Sequence, residues 1–215
     1  MTRAVIFDLD GLLIDSESAW AQVRHEFVLE HGGRWYDHTQ RDMMGMSSVE
    51  WSRYIRDELG VDLAPPDISA EVVRRLAVLY RERLPLLPGA REAVERLAAR
   101  WPLALASSSN RELIDLVLAT AELAGYFEAT VSSEEVAHGK PAPDVYLEAA
   151  RRLDTDPSGC AAIEDSHNGI LSAVAAGMRV VAIPNREFPP GEDALARADR
   201  VLHSVAELTP DVIES

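Results

Sequence analysis

The feature that most constrains this chain is an alternation of two patterns. Short, nearly continuous apolar runs recur at 4–8 (AVIFD), 103–107 (LALAS), 129–132 (ATVS), 161–164 (AAIE) and 179–183 (RVVAI), with a weaker one near 200–203. Between them, the stretches 89–100, 110–122, 143–153 and 167–176 carry apolar residues at helical spacing. Strands that are apolar throughout, rather than at every second residue, are buried on both faces. Strand and helix in alternation, joined by right-handed crossovers, predict an α/β fold with a doubly wound parallel sheet between two layers of helices.

The stretch 16–85 breaks the alternation, offering helix after helix and no strand. Trp20, Val23 and Phe27 form one apolar stripe that ends at Gly32-Gly33. A second helix is expected from about 47, with Ser47 or Ser48 as N-cap, to Gly60. Pro65-Pro66 punctuates, and a third helix is expected to about 83 through Val72, Val73, Leu76, Leu79 and Tyr80. The expected organisation is a core of 1–15 and 86–215, with 16–85 inserted as an all-helical domain.

The formal net charge of −15 argues against nucleic acid or an anionic membrane as partner, since both call for basic patches. No apolar run approaches the roughly 20 residues that span a bilayer, and Asp8 and Asp10 interrupt the first one, against a signal peptide. The single cysteine, Cys160, excludes an internal disulfide framework and suits a reducing compartment. A cytoplasmic protein, monomeric or weakly dimeric, is the expectation.

In an open parallel sheet, ligands bind beyond the carboxyl ends of the strands. Those ends carry Asp8 and Asp10, then Ser107-Ser108-Ser109-Asn110, then Gly139-Lys140-Pro141, and finally Glu164-Asp165-Ser166. Acids, hydroxyls and one lysine suit phosphoryl transfer through a carboxylate. An anionic nucleophile meets an anionic phosphate, so a hard dication such as Mg²⁺ is expected, with Asp8 and Asp165 as ligand pair. Lys140 adds positive charge, and Ser107 and Ser108 can bind phosphoryl oxygens. Asp10 lies on the same side of an extended segment as Asp8 and can reach the leaving-group oxygen as acid and then base. Neighbouring carboxyls tend to split their pKa values, which suits Asp10 as the protonated partner. Gly11 permits the tight turn that follows.

Each piece also has an ordinary explanation. A DxD is commonly a solvated turn, and the serine run can be a loop with Asn110 capping the next helix. Lys140 can be a surface lysine, and Glu164-Asp165 a favoured charge at a helix N-terminus. Asp15 is assigned to a cap or hinge role, and His167, Cys160 and the Trp20 stripe to packing or surface. Four such sets at four strand ends are what favours a site.

The segments DLDGLLIDS (8–16), LALASSSN (103–110), GKPAPDVY (139–146) and IEDSHNGI (163–170) occur in a known order. The chain resembles the haloacid dehalogenase superfamily of phosphohydrolases, in the subgroup with a helical cap after the first strand. The resemblance implies a Rossmann-like core, a mobile cap and Mg²⁺ dependence. It makes Asp8 the nucleophile and Asp10 the acid/base, with the Asp10 carbonyl also on the metal. Ser107 and Lys140 would bind phosphate, Asp165 would complete the metal site, and Glu164 would be a nearby or alternative ligand.

The nearest motifs resemble β-phosphoglucomutases and small sugar- or glycolate-phosphate phosphatases. Where such mutases carry a His in the first cap helix this chain has Trp20, and where an Arg grips a second phosphate GMSS gives Ser48. A phosphatase of a small phosphomonoester is therefore the first expectation. A phosphomutase, with a residue such as Arg41 replacing that Arg, is the second. A signalling receiver is disfavoured by the large insert and by Asp10.

Overall fold

The computed structural model describes residues 1–44 and 46–214. Six parallel strands form one sheet in the order β3-β2-β1-β4-β5-β6. They are β1 (Ala4–Phe7), β2 (Leu103–Ser107), β3 (Phe127–Ser132), β4 (Cys160–Glu164), β5 (Arg179–Ala182) and β6 (Arg200–Val201). The doubly wound α/β fold expected from the sequence is the fold observed. Its order reverses between β1 and β4, which opens the crevice where such sheets bind ligands.

Successive side chains of a strand point to opposite faces, and here both faces are covered. Val5, Phe7, Leu105 and Ile163 face one core, with helices α5 (Ala90–Ala98) and α6 (Arg111–Thr120) packed over it. Ala4, Ile6, Ala104, Ala106 and Ala162 face the other, under α7 (Asp144–Arg152) and α8 (His167–Ala175). That second face is mostly alanine, so α7 and α8 come close to the strands. Tyr146 and Lys140 can then reach the strand ends from the loop and helix above.

Between β1 and α5 lie four helices: α1 (Glu17–Glu30), α2 (Thr39–Met43), α3 (Ser48–Asp57) and α4 (Pro65–Glu82). Ser47 caps α3 through a capping box with Glu50, and Pro65 starts α4 at a position where its missing N–H costs nothing. The short α2 was not expected, because five residues show no helical period. The two connections to the sheet run side by side. Asp15 N donates to Pro85 O, and Leu87 N donates to Leu13 O. Asp15 thus stands at the junction, while the N-cap of α1 is Ser16.

Candidate active site

Asp8 follows β1 directly, its N–H donating to Ile163 O so that pairing with β4 continues past the strand end. Its Oδ1 accepts from Lys140 Nζ at 2.6 Å. The same ammonium donates to Glu164 Oε1 at 2.6 Å and to Ala106 O at 3.0 Å, using all three of its protons. Glu164 is fully buried. Tyr146 Oη also donates to its Oε1, while its Oε2 accepts from the Asp165 and Ser166 N–H groups and from Ser166 Oγ. Gly169 of α8 lies so close that a Cβ there would fall within 2.1 Å of both Glu164 oxygens. Glu164 is therefore clamped onto Lys140 and the start of α8.

Asp165 is different. Its Oδ1 is buried without a hydrogen-bond partner. Gly11, at φ +75°, wraps against it so tightly that a Cβ would meet Asp165 Oδ2 at 2.0 Å. Ligand oxygens of Asp8, Glu164 and Asp165 lie within 4.8 Å of one another. One ammonium does not neutralise three buried carboxylates, and the charges show it. Burial pushes Asp8 up to about 8, with Glu164 and Asp10 adding to the effect and Lys140 opposing it. Burial, then Glu164 and Asp8, likewise raises Asp165 well above the usual carboxylate range. Burial lowers the Lys140 pKa, but Asp8 and Glu164 outweigh it and raise it, keeping the ammonium charged. A cluster of hard oxygens short of positive charge, with one oxygen unpartnered, fits a divalent cation.

Asp10 has its own partners. Its Oδ2 accepts from Ser109 Oγ at 2.6 Å and from Ser107 Oγ at 3.3 Å, and its Oδ1 accepts from Trp20 Nε1 at 3.3 Å. Ser107 Oγ in turn accepts from Ser109 N. Ser107 thus faces Asp10 and its own loop, whereas Ser108 Oγ is buried with no partner and lines the cavity. Asn110 occupies the N-cap position of α6 but does not cap it with its side chain, which donates to Glu134 instead.

The cavity over these groups is bounded by Asp8, Asp10, Ser108, Lys140, Asp165 and, from the insert, Trp20. Its volume is about 70 Å³. Four further residues matter to which sequence patterns assigned no role at the site. Ser109 shares a side with Ser107 two residues earlier, and it makes the shortest hydrogen bond to Asp10. Trp20, expected to be packing alone, also touches Asp10. Glu17 and Arg24 line the cavity beside it. Helical spacing placed Trp20 on a buried face but could not show that the face ends at a cavity. Arg41 lies in an adjoining cavity with Met44, His167 and Phe188, outside the set around Asp8. His167 accepts from Gly191 N at the surface, and Cys160 is buried, its thiol pushed up to about 11 by that burial. The Gly45 that opens GMSS lies outside the described residues.

Reversed strand order and carboxylates at the ends of β1 and β4 define an α/β enzyme with an acidic, cation-ready centre. Residues 2–177 match the family model for haloacid dehalogenase-like hydrolases, and the chain belongs to that family. It is an enzyme of the phosphomonoester-hydrolase class. Hexitol phosphatase B of Escherichia coli strain K12 is 35% identical, over 96% of this chain and 94% of that protein. Fructose-1-phosphate phosphatase YqaB of the same strain is 34% identical, over 83% and 95% respectively. The crystal structure of CbbY from Rhodobacter sphaeroides in complex with phosphate superposes with a TM-score of 0.87 at 27% identity, covering 100% of both chains. Among the described residues, no helix is long and apolar enough to cross a membrane.

Proposed function

We propose that this hydrolase is a Mg²⁺-dependent phosphatase of small phosphomonoesters, sugar phosphates or similar metabolites, acting through an aspartyl phosphate on Asp8. The observation that carries it is a division of partners. Two carboxylates only two residues apart are held by different groups, Asp8 by Lys140 and Asp10 by Ser109, Ser107 and Trp20. Asp8 and Asp165 would hold the ion with the main-chain carbonyl of Asp10. Glu164 belongs to the same cluster, but its oxygens already accept five hydrogen bonds, so its first task is to anchor Lys140. When bound, Mg²⁺ would offset the repulsion between carboxylate and phosphate.

The residues then act in two displacements. An Asp8 oxygen forms a bond to phosphorus as the ester P–O bond breaks, and Asp10 gives its proton to the departing alcohol oxygen. Asp10 next takes a proton from water, whose oxygen attacks phosphorus and breaks the Asp8–phosphorus bond, releasing inorganic phosphate. Lys140 and the free Ser108 hydroxyl bind phosphoryl oxygens, while Ser107 and Ser109 orient Asp10. The helical insert 16–85 acts as the cap over the core formed by 1–15 and 86–215. Opening and closing of the cap on the paired connections at Leu13, Asp15, Pro85 and Leu87 would admit substrate and then shield it from water.

Hydrolysis is favoured over a mutase by the partner of Ser48. Its hydroxyl donates to Glu134 Oε1 at 3.2 Å, and Asn110 and Arg111 N hold the same carboxylate. Ser48 and Glu134 line a neighbouring cavity and not the one over Asp8, so Ser48 supplies no group to a second phosphate there. The named phosphatases among the relatives agree. The test is phosphate release from an aryl phosphate with Mg²⁺, with chelator, and in Asp8→Asn. Release that needs the ion and falls at least about 10³-fold in the variant, with its circular dichroism unchanged, is expected. Undiminished turnover sinks the proposal. With a sugar 1-phosphate, appearance of a 6-phosphate isomer would favour the mutase instead.

A further inference from the structure

Arg24 stands four residues after Trp20 and seven after Glu17, so all three share one face of α1. It is only 5% exposed. Its guanidinium carbon sits 4.3 Å from the centre of the Trp20 ring and 4.8 Å from that of Trp51. Its Nε is buried with no partner, and no hydrogen bond or ion pair reaches the group among the described residues. Burial lowers its pKa to about 10, with Glu17 and Asp10 opposing, so it is charged at neutral pH. A buried cation whose Nε–H has no acceptor is costly, and two indole rings only partly compensate it. It lines the catalytic cavity, beside Asp10.

We infer that Arg24 is a substrate-recognition residue whose guanidinium binds hydroxyl oxygens of a polyol or sugar leaving group. The inference rests on the phosphatase reading, in which Asp10 marks the leaving-group side. The class of ligand follows from what else lines the wall. Glu17, held by Gln40 Nε2 at 3.0 Å, lines the same cavity. A hydroxyl accepts from Arg24 and donates to Glu17, satisfying both. A carboxylate or second phosphate would suit Arg24 but be repelled by Glu17. The Trp20 ring and Met46, also in the wall, offer apolar surface to sugar C–H groups.

The test compares hydrolysis of a hexitol phosphate, 2-phosphoglycolate and an aryl phosphate by the unaltered protein, Arg24→Met and Arg24→Lys. Arg24→Met should lose about 10- to 100-fold more kcat/KM on the hexitol phosphate than on the aryl phosphate. Arg24→Lys, which keeps the positive charge over the indoles, should lose less than Arg24→Met. Equal losses on both esters would make Arg24 a bracing residue and overturn the inference. A selective loss on 2-phosphoglycolate would overturn the assignment to hydroxyls. Should Arg24→Met not fold, Arg24→Lys decides alone: an unchanged hexitol-to-aryl preference overturns the inference, and a weakened one supports it. No turnover of any ester by the unaltered protein would instead overturn the phosphatase reading, and this inference with it.

Discussion

The indole Nε1 of Trp20 donates to Oδ1 of Asp10 across 3.3 Å, so a side chain of the helical insert holds a carboxylate at the end of the first strand. The position of the insert and the geometry of Asp10, the proposed acid/base, are linked through this hydrogen bond.

Trp20→Phe keeps most of the ring, its packing against Trp51 and its contact with Arg24, and removes only the donor. A hydrogen bond of this kind is worth about 0.5–1.5 kcal/mol. The expected outcome is a kcat on an aryl phosphate lower by about 2- to 10-fold with KM little changed. Steady-state kinetics checks it. A change confined to KM would mean that Trp20 serves binding and not Asp10.

Two glycines separate backbone strain from site geometry. Gly60 has φ +78° and open space where a Cβ would go, so Gly60→Ala should cost only about 1–2 kcal/mol of stability and leave activity intact. Gly11 has the same sign of φ but abuts Asp165. Gly11→Ala should cost more stability and also displace Asp165, cutting Mg²⁺-dependent turnover by at least about tenfold. Urea unfolding together with phosphate release measures both.

Acid stability should depend on a surface cluster that takes no part in the site. Hydrogen bonds from Arg151 and Arg152 hold Glu148 down at about 2, against 4.5 as the ordinary value. A carboxylate lowered on folding contributes stability above its unfolded pKa and loses it as pH falls through the folded one. The contribution is present above about 4.5 and fades toward 2, and solvent keeps it small. Glu148→Gln should lower Tm slightly at pH 7 and flatten its decline between pH 4.5 and 2, as thermal scans across that range would show.

The sheet was legible because each strand is a continuous apolar run with few alternatives; three motifs fall at strand ends and the fourth, around Lys140, in the loop between β3 and α7, and only a parallel sheet brings them together. Boundaries shifted by a residue or two where pairing outruns hydrophobicity, as at Phe127 and Cys160. Within the site, Asp8, Asp10 and Asp165 were legible as charges at apolar termini, and Lys140 as a cation ahead of the helix after β3. The orientations of Ser107 and Ser109 were not, since adjacent hydroxyls differ only in the loop's dihedral angles. Arg24 and Trp20 were hidden for another reason. A helical period tells which face of α1 is buried, but not whether that face meets a core or a cavity.

The central claim is that Asp8 carries the phosphoryl group. Quenching the enzyme during turnover and reducing it with borohydride converts an aspartyl phosphate to homoserine, which peptide mass spectrometry locates. The account predicts homoserine at position 8, only when substrate and Mg²⁺ are both present, and none in Asp8→Asn. Phosphate release without any reduction at Asp8, or with homoserine at position 10, would contradict it.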